Sequence, residues 1–600
     1  MAGAFAWSER NGRGYISSGT ETPPPALAAE STRPIVRGRR FAISSTHDLA
    51  TLAGQRVYAK GGNAVDAGVA AGIVLTVVEP HMCNFGGVAP IMIMREGMAA
   101  PELIDGLGRW PAGITLQDYL HMFDGDMPIG VERSVVPAAP AAWLTALARH
   151  GRLTLAEVLE PAIELAKEGF PVDPGLSAFV NHFADRLRRW PASAACFLPE
   201  GRPIAAGDCL VQPELAGLFE TLAQTEREAL RRGDSRQEAI YQACDEFYSG
   251  TTAEKLTGFL AAQNWPLTME DMRSYKVSIE SAPSVNYRGY DVHMSGPWSQ
   301  GPMVGIMLNL LEGFELSNID PQSADFFHLC SEVVKLAAAD RDGYFGDPDF
   351  VDVPLAGLLS KAYADERRNL IRMDQAFPEM PLPGNPWRHE GRDGKAGHIP
   401  RAGKGVGTPD TSYVCTVDAE GNAFSATPSD HVCGGPLVPG LGIVVSQRGA
   451  QLWLDGAHPA AMQPRKRPRL TPNPALVLYQ GRPVFAFGSP GEDMQTQAMV
   501  QALCHRLDHG MNWQRAIEAP RIGSLSFPWS YHPHMYRPGQ MVVESSIPAV
   551  TATELTRRGH GLRSLPPLSY GVGAVCAVES SGEGLLGAAD PRRSCLALAW

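Results

Sequence analysis

Thr411 has a setting that suggests chemistry, because it stands just before a predicted β-hairpin. The hairpin strands are 413–417 and 423–427, and the turn between them contains Gly and Asn, which accept the positive φ of tight turns. Residues 376–409, which precede it, are rich in Pro, Gly and charge, and this composition predicts a mobile linker. A mobile segment that meets a rigid strand is a place where the chain could be cut between Asp410 and Thr411.

A threonine freed as a new N-terminus combines a nucleophile and a base in one residue. Its hydroxyl is a poor nucleophile until a base takes the proton, and the α-amino group, with an ordinary pKa of about 7.7–8.0, can do so directly or through a water. The same hydroxyl could attack the preceding carbonyl and cut the chain through an ester that water opens. A nucleophile at Ser412 or Cys415 is disfavoured, because no adjacent residue supplies a base.

Composition excludes several other classes of protein. The 600 residues carry a net charge of -12, and the basic run 465–467 lies between prolines like a solvated loop, so nucleic acid is not an expected partner. No segment has the length and apolarity of a membrane span, and the N-terminus lacks a signal-peptide pattern, so we expect no membrane association. The ten scattered cysteines show no metal-ligand spacing, which predicts reduced thiols, no metal and a cytoplasmic location.

The common catalytic and cofactor-binding motifs are also missing from the chain. It contains no HExxH, dinucleotide fingerprint, Walker loop or GxSxG pattern, and its histidines form no ligand-spaced pairs. The sequence therefore predicts no cofactor.

The arrangement of elements predicts an α+β protein. Residues 1–40 are expected to form an irregular N-terminal arm, and 41–410 a mostly helical region that ends in the linker. Within that region, 64–78 is apolar on nearly every face, which is typical of a buried helix capped by Asn63. Residues 411–600 contain several short alternating runs, which predict an antiparallel sheet covered by helices.

Arg109 follows a predicted strand end in a glycine-rich loop. An arginine in such a place could bind a substrate carboxylate with two parallel hydrogen bonds. A structural ion pair is the alternative, and the residues alone favour it.

Several motifs resemble the gamma-glutamyltranspeptidase family, and the resemblance runs from about Phe41 to the C-terminus. One is the start of its small subunit, matched by Asp410–Tyr413 and Val417–Ala423. The others are Lys60–Ala67, Val78–His81 with Gly86-Gly87, Leu336–Phe350 and Gly488–Gly491.

The resemblance implies an N-terminal nucleophile hydrolase with a four-layer αββα sandwich, made as one precursor that cuts itself. The cut would fall between Asp410 and Thr411, and would give a large subunit of residues 1–410 and a small one of 411–600. Thr411 would be the nucleophile in both self-cleavage and turnover. Whether the mature pair of subunits dimerises is left open.

Further roles come from the resemblance position by position. Ser429 falls where the family has a threonine whose hydroxyl supports the nucleophile. Gly491 and Glu492 match the Gly-Gly pair whose amides hold the oxyanion, and an amide is still available at Glu492. The Glu492 carboxylate would place negative charge near the site.

The residues that bind substrate in the family are changed here. Its Gln and Asp, which bind an α-amino group, fall at Arg448 and Gln451, and its asparagine falls near His431 or Asp430. The arginine of the family falls at Leu107, with Arg109 two places on, and the Ser-Ser pair that binds an α-carboxylate has no counterpart. Without the acid, an ammonium group has no natural partner.

Two hypotheses follow. In the first, the chain is a self-processed amide hydrolase or acyltransferase acting on a small molecule, either a glutathione-like gamma-glutamyl amide or, as Arg109 and Arg448 favour, an amide with an acidic acyl group. In the second, it is an uncleaved scaffold that keeps the fold without the chemistry. The altered pocket and Glu492 favour the second.

Overall fold

The computed structural model describes residues 31–400, 403 and 410–600. Most of the expected irregular arm, residues 1–30, lies outside the described residues. Within the same arm, however, Val36–Gly38 forms a strand, where Val36 pairs with Gly587 near the C-terminus. The expectation of an irregular segment up to residue 40 is therefore wrong at this strand, which is held by a partner far away in the sequence.

The described residues contain the following strands: β1 Val36–Gly38, β2 Phe41–Ser45, β3 Ile91–Met94, β4 Glu102–Ile104, β5 Phe170–Pro171, β6 Cys209–Leu210, β7 Ile279–Ser281, β8 Ser284–Tyr287, β9 Tyr290–His293, β10 Val414–Asp418, β11 Ala423–Ala426, β12 Leu437–Val438, β13 Ile443–Val444, β14 Ala475–Tyr479, β15 Arg482–Gly488, β16 Ile522–Ser524, β17 Gln540–Glu544, β18 Gly561–Leu565, β19 Cys576–Ser581, β20 Gly584–Ala589 and β21 Leu596–Ala599.

The helices of the same residues are α1 Asp48–Ala59, α2 Ala64–Val78, α3 Leu116–Met122, α4 Ala139–His150, α5 Leu155–Glu168, α6 Pro174–His182, α7 Ala184–Leu187, α8 Pro191–Phe197, α9 Pro213–Arg232, α10 Arg236–Ser249, α11 Thr251–Ala262, α12 Met269–Ser274, α13 Gly301–Glu312, α14 Ala324–Tyr344, α15 Leu355–Leu358, α16 Lys361–Arg368, α17 Gln495–Leu507, α18 Trp513–Glu518 and α19 Ala549–Arg557.

Two seven-stranded antiparallel sheets form the centre of the fold. One has the order β1-β20-β19-β15-β14-β9-β8, and the other has the order β21-β2-β10-β11-β3-β4-β7. Apolar side chains from both sheets, such as Met92, Val417 and Val578, pack together in one cluster. The two sheets therefore face each other as the inner layers of a sandwich.

Helices cover the outer faces of both sheets. Helices α1, α2 and α4 pack with residues of β2, β3, β10 and β11 in one core, and α13, α14 and α17 pack with residues of β14 and β15 in another. Helix α2 is buried along its whole length, as its apolar composition predicts, and Asn63 caps it through a reciprocal pair of hydrogen bonds with Asp66. The result is the predicted four-layer αββα arrangement.

The β10–β11 hairpin fixes the register next to Thr411. Val414 lies opposite Ala426, and the turn is closed by Asp418, whose Oδ1 accepts hydrogen bonds from the amides of Glu420 at 3.0 Å and Asn422 at 3.1 Å. The second oxygen of Asp418 accepts from the amide of Ala64, the first residue of α2, at 2.8 Å. This hydrogen bond holds the hairpin turn against the N-terminus of helix α2.

The described part of the predicted linker, residues 376–400, has no strand or α-helix, and its one regular element is a 3₁₀ turn, Pro386–Glu390. It is nevertheless anchored. Trp387 is 4% exposed, and the carbonyl of Gly384 accepts a hydrogen bond from the Tyr344 hydroxyl at 2.6 Å. The linker expectation therefore needs a correction, because a buried indole and α14 hold this stretch in place.

Two observations bear on the compartment and membrane predictions. Among the described residues, which include all ten cysteines, none is disulfide-bonded. None of the described helices combines the length and apolarity that a bilayer crossing requires. The cytoplasmic location stays a prediction.

Candidate active site

Thr411 is completely buried, three residues before the start of β10. Its amide donates to the carbonyl of Met82 at 2.8 Å, and its carbonyl accepts from Arg593 Nη1 at 3.0 Å. Met82 lies just after α2, and Arg593 lies just before β21, which belongs to the same sheet as β10, so this sheet and its helix layer both help to position Thr411.

The backbone at Thr411 is in an unfavourable conformation, with φ at +100°. A β-branched residue rarely adopts a positive φ, and such a conformation costs on the order of 1–3 kcal/mol. The φ torsion is defined by the carbonyl carbon of Asp410, so breaking the bond between Asp410 and Thr411 removes this constraint. The strain therefore lies in the residue that directly follows the predicted cleavage bond.

The Thr411 hydroxyl has three polar neighbours. The Ser429 hydroxyl is 2.7 Å from Thr411 Oγ1, Asp410 Oδ1 is at 3.1 Å, and Gln495 donates to it from Nε2 at 3.2 Å. Ser429 is itself buried and donates to Asp410 Oδ1 at 3.2 Å. The structure thus brings together the nucleophile and the supporting hydroxyl that the resemblance implies.

The Asp410 carboxylate lies in a site whose side chains can bind an anion. Arg448 Nη2 donates to its Oδ2 at 2.6 Å, and the Tyr531 hydroxyl lies 3.2 and 3.3 Å from its two oxygens. Arg448 Nη2 also donates to Ser429 Oγ. A buried guanidinium, a phenol and a hydroxyl therefore converge on one carboxylate.

Arg448 is fully buried and holds a second carboxylate as well. Its Nε lies 3.1 Å from Asp430 Oδ1, although the two groups are not aligned as a hydrogen bond. Its Nη1 has no hydrogen-bond partner among the described residues, and its guanidinium stacks 5.3 Å from the ring centre of Tyr531. Burial raises the pKa of Asp430 above its ordinary value, although the charge of Arg448 opposes the rise.

A second buried ion pair supports the backbone of the site. Glu79 accepts from Ser412 Oγ and Thr46 Oγ1, both at 2.6 Å, and pairs with Arg593. Burial, the largest influence, would raise the pKa of Glu79, but the charge of Arg593, two nearby histidines and the hydrogen bond from Ser412 together outweigh it and leave that pKa below its ordinary value. Glu79 therefore stays ionised and holds both Arg593 and Ser412.

Gly491 and Glu492 form a tight turn just before α17, with φ at +115° and +52°. The carbonyl of Glu492 accepts from Gln300 Nε2 at 2.9 Å, and its fully buried carboxyl has no hydrogen-bond partner among the described residues. Burial, with Asp410 and Asp493 nearby, raises the pKa of this carboxyl well above its ordinary value. The expected negative charge is therefore suppressed by protonation.

The other predicted substrate-binding residues, Gln451, His431 and Arg109, lie in different environments. Gln451 is buried, and its Nε2 donates to Thr471 Oγ1 at 3.1 Å. His431 packs edge-on against Phe179 with ring centres 5.4 Å apart, and burial lowers its pKa to about 4, so it is neutral at working pH. Arg109 lies in a loop and pairs with Asp349 at 3.0 Å, which is the structural ion pair that its sequence context favoured.

Three of the residues that contact Asp410 or Thr411 were missed by sequence reasoning: Tyr531, Gln495 and Arg593. Tyr531 and Arg593 lie in loops with no distinguishing pattern, and Gln495 begins an ordinary helix. Glu79 could have been found, because it lies in one of the motifs that carry the family resemblance.

One buried cluster away from Thr411 has metal-like residue types. His328, Glu332 and His560 place ligand atoms within 4.8 Å of one another. However, His328 Nδ1 lies 2.9 Å from His560 Nε2, and Lys335 Nζ donates to Glu332 Oε1 at 2.7 Å. These contacts make the cluster a hydrogen-bonded network around a buried cation.

Comparison with known proteins agrees with this architecture. Residues 50–600 match the model of the gamma-glutamyltranspeptidase family. The chain is 33% identical over 557 residues to the Acylase ACY 1 proenzyme of Pseudomonas sp. strain SE83, covering 90% of each chain. It is 28% identical to the glutathione hydrolase proenzyme of Bacillus subtilis strain 168, covering 98% of this chain and 96% of that one.

Among solved structures, the cephalosporin acylase of Bacillus halodurans superposes with a TM-score of 0.82 at 28% identity, covering 98% of this chain and 99% of that chain. The fold therefore defines an N-terminal nucleophile hydrolase. The chain belongs to the gamma-glutamyltranspeptidase family. Its relatives are glutathione hydrolases and acylases, so the prediction of an amide-bond hydrolase or transferase is confirmed at that level.

Proposed function

We propose that this chain cuts itself before Thr411 and then hydrolyses an amide whose acyl part carries a carboxylate. The observation that carries the proposal is the cluster around Thr411 Oγ1, with Ser429 Oγ at 2.7 Å and a strained backbone at the adjoining bond. Support also comes from the relatives, which are named as proenzymes.

Self-cleavage would begin when Thr411 Oγ1 attacks the carbonyl carbon of Asp410. Asp410 Oδ1, 3.1 Å from that hydroxyl, can accept its proton and pass it to the departing nitrogen. The Oγ1–carbonyl bond forms, the peptide C–N bond breaks, and the result is an ester with a free α-amino group. Water then opens the ester, which leaves the new carboxyl group on Asp410 and restores the Thr411 hydroxyl.

Turnover would repeat the same chemistry on a substrate amide. The free α-amino group of Thr411 takes the hydroxyl proton, the hydroxyl attacks the amide, and the leaving amine takes the proton. Water then hydrolyses the acyl-enzyme. Ser429 would orient the nucleophile, and the family resemblance assigns oxyanion stabilisation to the amides of the Gly491–Glu492 turn.

The charges near Thr411 favour an acidic acyl group over a gamma-glutamyl group. Arg448 supplies a buried cation, whereas Gln451 has no charge with which to bind an ammonium. Arg109 does not serve as a cation for the acyl carboxylate, because Asp349 and Asp347 already pair with it. The acylase relatives are consistent with a substrate other than a gamma-glutamyl amide.

The scaffold hypothesis remains the alternative, and intact mass of the purified protein separates the two. The proposal expects two fragments that begin at Met1 and Thr411, and one full-length chain for Thr411→Ala. A full-length wild-type chain without activity would support the scaffold. Among cleaved samples, release of glutamate from gamma-glutamyl-p-nitroanilide as efficient as hydrolysis of dicarboxylic acyl amides would refute the acidic-acyl preference.

A further inference from the structure

The anion site around Arg448 is filled by the chain itself. Asp410 Oδ2 accepts from Arg448 Nη2 at 2.6 Å, and the Tyr531 hydroxyl lies 3.3 Å from the same oxygen. Asp410 also supplies the carbonyl that Thr411 would attack, so one residue presents both an acyl carbon and a carboxylate to the site.

We propose that Asp410 marks the acyl subsite of the mature enzyme, and that this subsite takes acyl groups of succinyl length. The inference rests on the proposed function, since it assumes that Asp410 leaves after cleavage at its own carbonyl. In the uncut chain, Asp410 therefore acts as a placeholder for the substrate carboxylate.

The covalent structure of aspartate sets the length of the acyl group. Two carbons, Cα and Cβ, separate its carbonyl carbon from its carboxylate carbon, as in a butanedioyl group. A substrate acyl carbon bound to Thr411 Oγ1 would take the place of the Asp410 carbonyl carbon, so a carboxylate at the same spacing reaches Arg448. A glutaryl group is one bond longer, about 1.5 Å, and does not fit the same two points in an extended conformation.

The electrostatics of the pocket favour refilling by an anion. Arg448 is fully buried between two carboxylates, Asp410 and Asp430. When Asp410 leaves, Nη2 and the Tyr531 hydroxyl lose this carboxylate, and Nη2 keeps only its hydrogen bond to Ser429 Oγ, while Nη1 already has no partner among the described residues. A buried cation with vacant donors is unfavourable, and a substrate carboxylate would restore the lost contacts.

The two neighbouring acids, Asp430 and Glu492, differ in how strongly they would repel a bound carboxylate. Asp430 keeps its contacts with Ser446 Oγ at 2.6 Å and with the amide of Gln447 at 3.2 Å after Asp410 has gone. Glu492 is buried without a partner and is held protonated. The vacated site therefore contains one cation against one anion that has other partners, and it can accept a second anion.

Binding to uncut variants tests the proposal without catalysis. Isothermal titration calorimetry with formate, which has the size of the deleted carboxylate, compares Thr411→Ala with the double variant Asp410→Ala/Thr411→Ala. The double variant lacks the Asp410 carboxylate beside Arg448, so we expect it to bind formate at least tenfold more tightly than Thr411→Ala does. Adding Arg448→Gln should abolish the gain, and uncharged formamide should show no gain in any variant.

Chain length is read in the mature wild-type enzyme, from which Asp410 has departed. Succinamate and succinate should compete with the substrate there, and glutaramate and glutarate should compete more weakly. Equal binding of formate by the single and double variants, a gain that survives Arg448→Gln, or an absence of competition by succinate would overturn the proposal. If the double variant unfolds, competition in the mature enzyme alone decides.

Failure of the inference and failure of the proposed function remain distinguishable. Self-cleavage is read from the mass of the wild-type protein, whereas the subsite is read from binding to chains that cannot be cut at Thr411. A cleaved wild-type enzyme whose Arg448 site prefers glutaramate would refute the succinyl length alone.

Discussion

Replacing Glu492 by Gln should stabilise the folded chain, and the gain should grow with pH. The carboxyl is completely buried without a hydrogen-bond partner among the described residues, and its pKa in the folded protein lies well above the ordinary value. Above the ordinary pKa of about 4.3, the unfolded chain has released this proton while the folded chain still holds it. The folded protein therefore binds one more proton, and its stability falls as pH rises towards the folded pKa.

The size of the effect follows from that single proton. The free energy of unfolding falls by about 1.4 kcal/mol for each pH unit over which the unfolded chain has lost this proton and the folded chain still holds it. Glutamine has nearly the same shape and no proton to lose. The difference between the Glu492→Gln variant and its parent should therefore increase steadily with pH.

Thermal unfolding of uncut chains measures this difference. Both proteins carry Thr411→Ala, so that unfolding involves a single chain, and scanning fluorimetry follows the midpoint from pH 5.5 to 8.5. Glu583→Gln serves as the control, because its side chain is 73% exposed, and we expect little pH dependence from it. A constant difference between the Glu492→Gln variant and its parent across the range would refute the protonated, buried carboxyl.

Three further predictions concern the residues around Thr411. Ser429→Ala removes a hydroxyl 2.7 Å from Thr411 Oγ1, a loss of about 1 kcal/mol, so self-cleavage followed by electrophoresis should slow roughly fivefold. Arg593→Gln leaves Glu79 buried without its cation and should lower the free energy of unfolding by about 3–5 kcal/mol in urea titrations. Arg109→Ala breaks a partly exposed pair, and should change stability by less than about 1 kcal/mol without slowing self-cleavage.

Each of these variants has a matched comparison. Ser429→Thr restores a hydroxyl and should recover cleavage, so a variant as slow as Ser429→Ala would count against the supporting role. Glu79→Gln with Arg593→Gln removes both charges and should be less destabilised than Arg593→Gln alone. Slow self-cleavage in Arg109→Ala would indicate that this arginine does act in the active site.

Local patterns predicted those parts of the fold in which neighbours in sequence are also neighbours in space. The β10–β11 hairpin and the buried helix α2 follow from turn residues and apolar composition. The three-stranded sheet of β16, β17 and β18 was missed, because its strands are short and their pairing joins distant segments. Strand β1 was missed for the same reason.

The site residues divide in the same way into those that sequence motifs identified and those that depend on contacts between distant segments. Thr411, Ser429 and Arg448 were identified through family positions, and the structure brings them into contact. The hydrogen bond from Tyr531 to Asp410 and the pair between Glu79 and Arg593 join residues that no local pattern connects. The protonation of Glu492 depends on burial, which its own sequence neighbours do not determine.

The interleaved sheet has a consequence for how the mature protein could be rebuilt. Strand β2 of the large-subunit region lies between β10 and β21 of the small-subunit region, and β11 pairs in turn with β3. Before the cut, these strands find one another within one chain, and refolding is a first-order process. After the cut, the same pairings require two polypeptides to meet, so recovery from denaturant should become concentration-dependent. Self-cleavage would thus convert a chain that can refold alone into a two-chain assembly that, once unfolded, re-forms only when both chains meet.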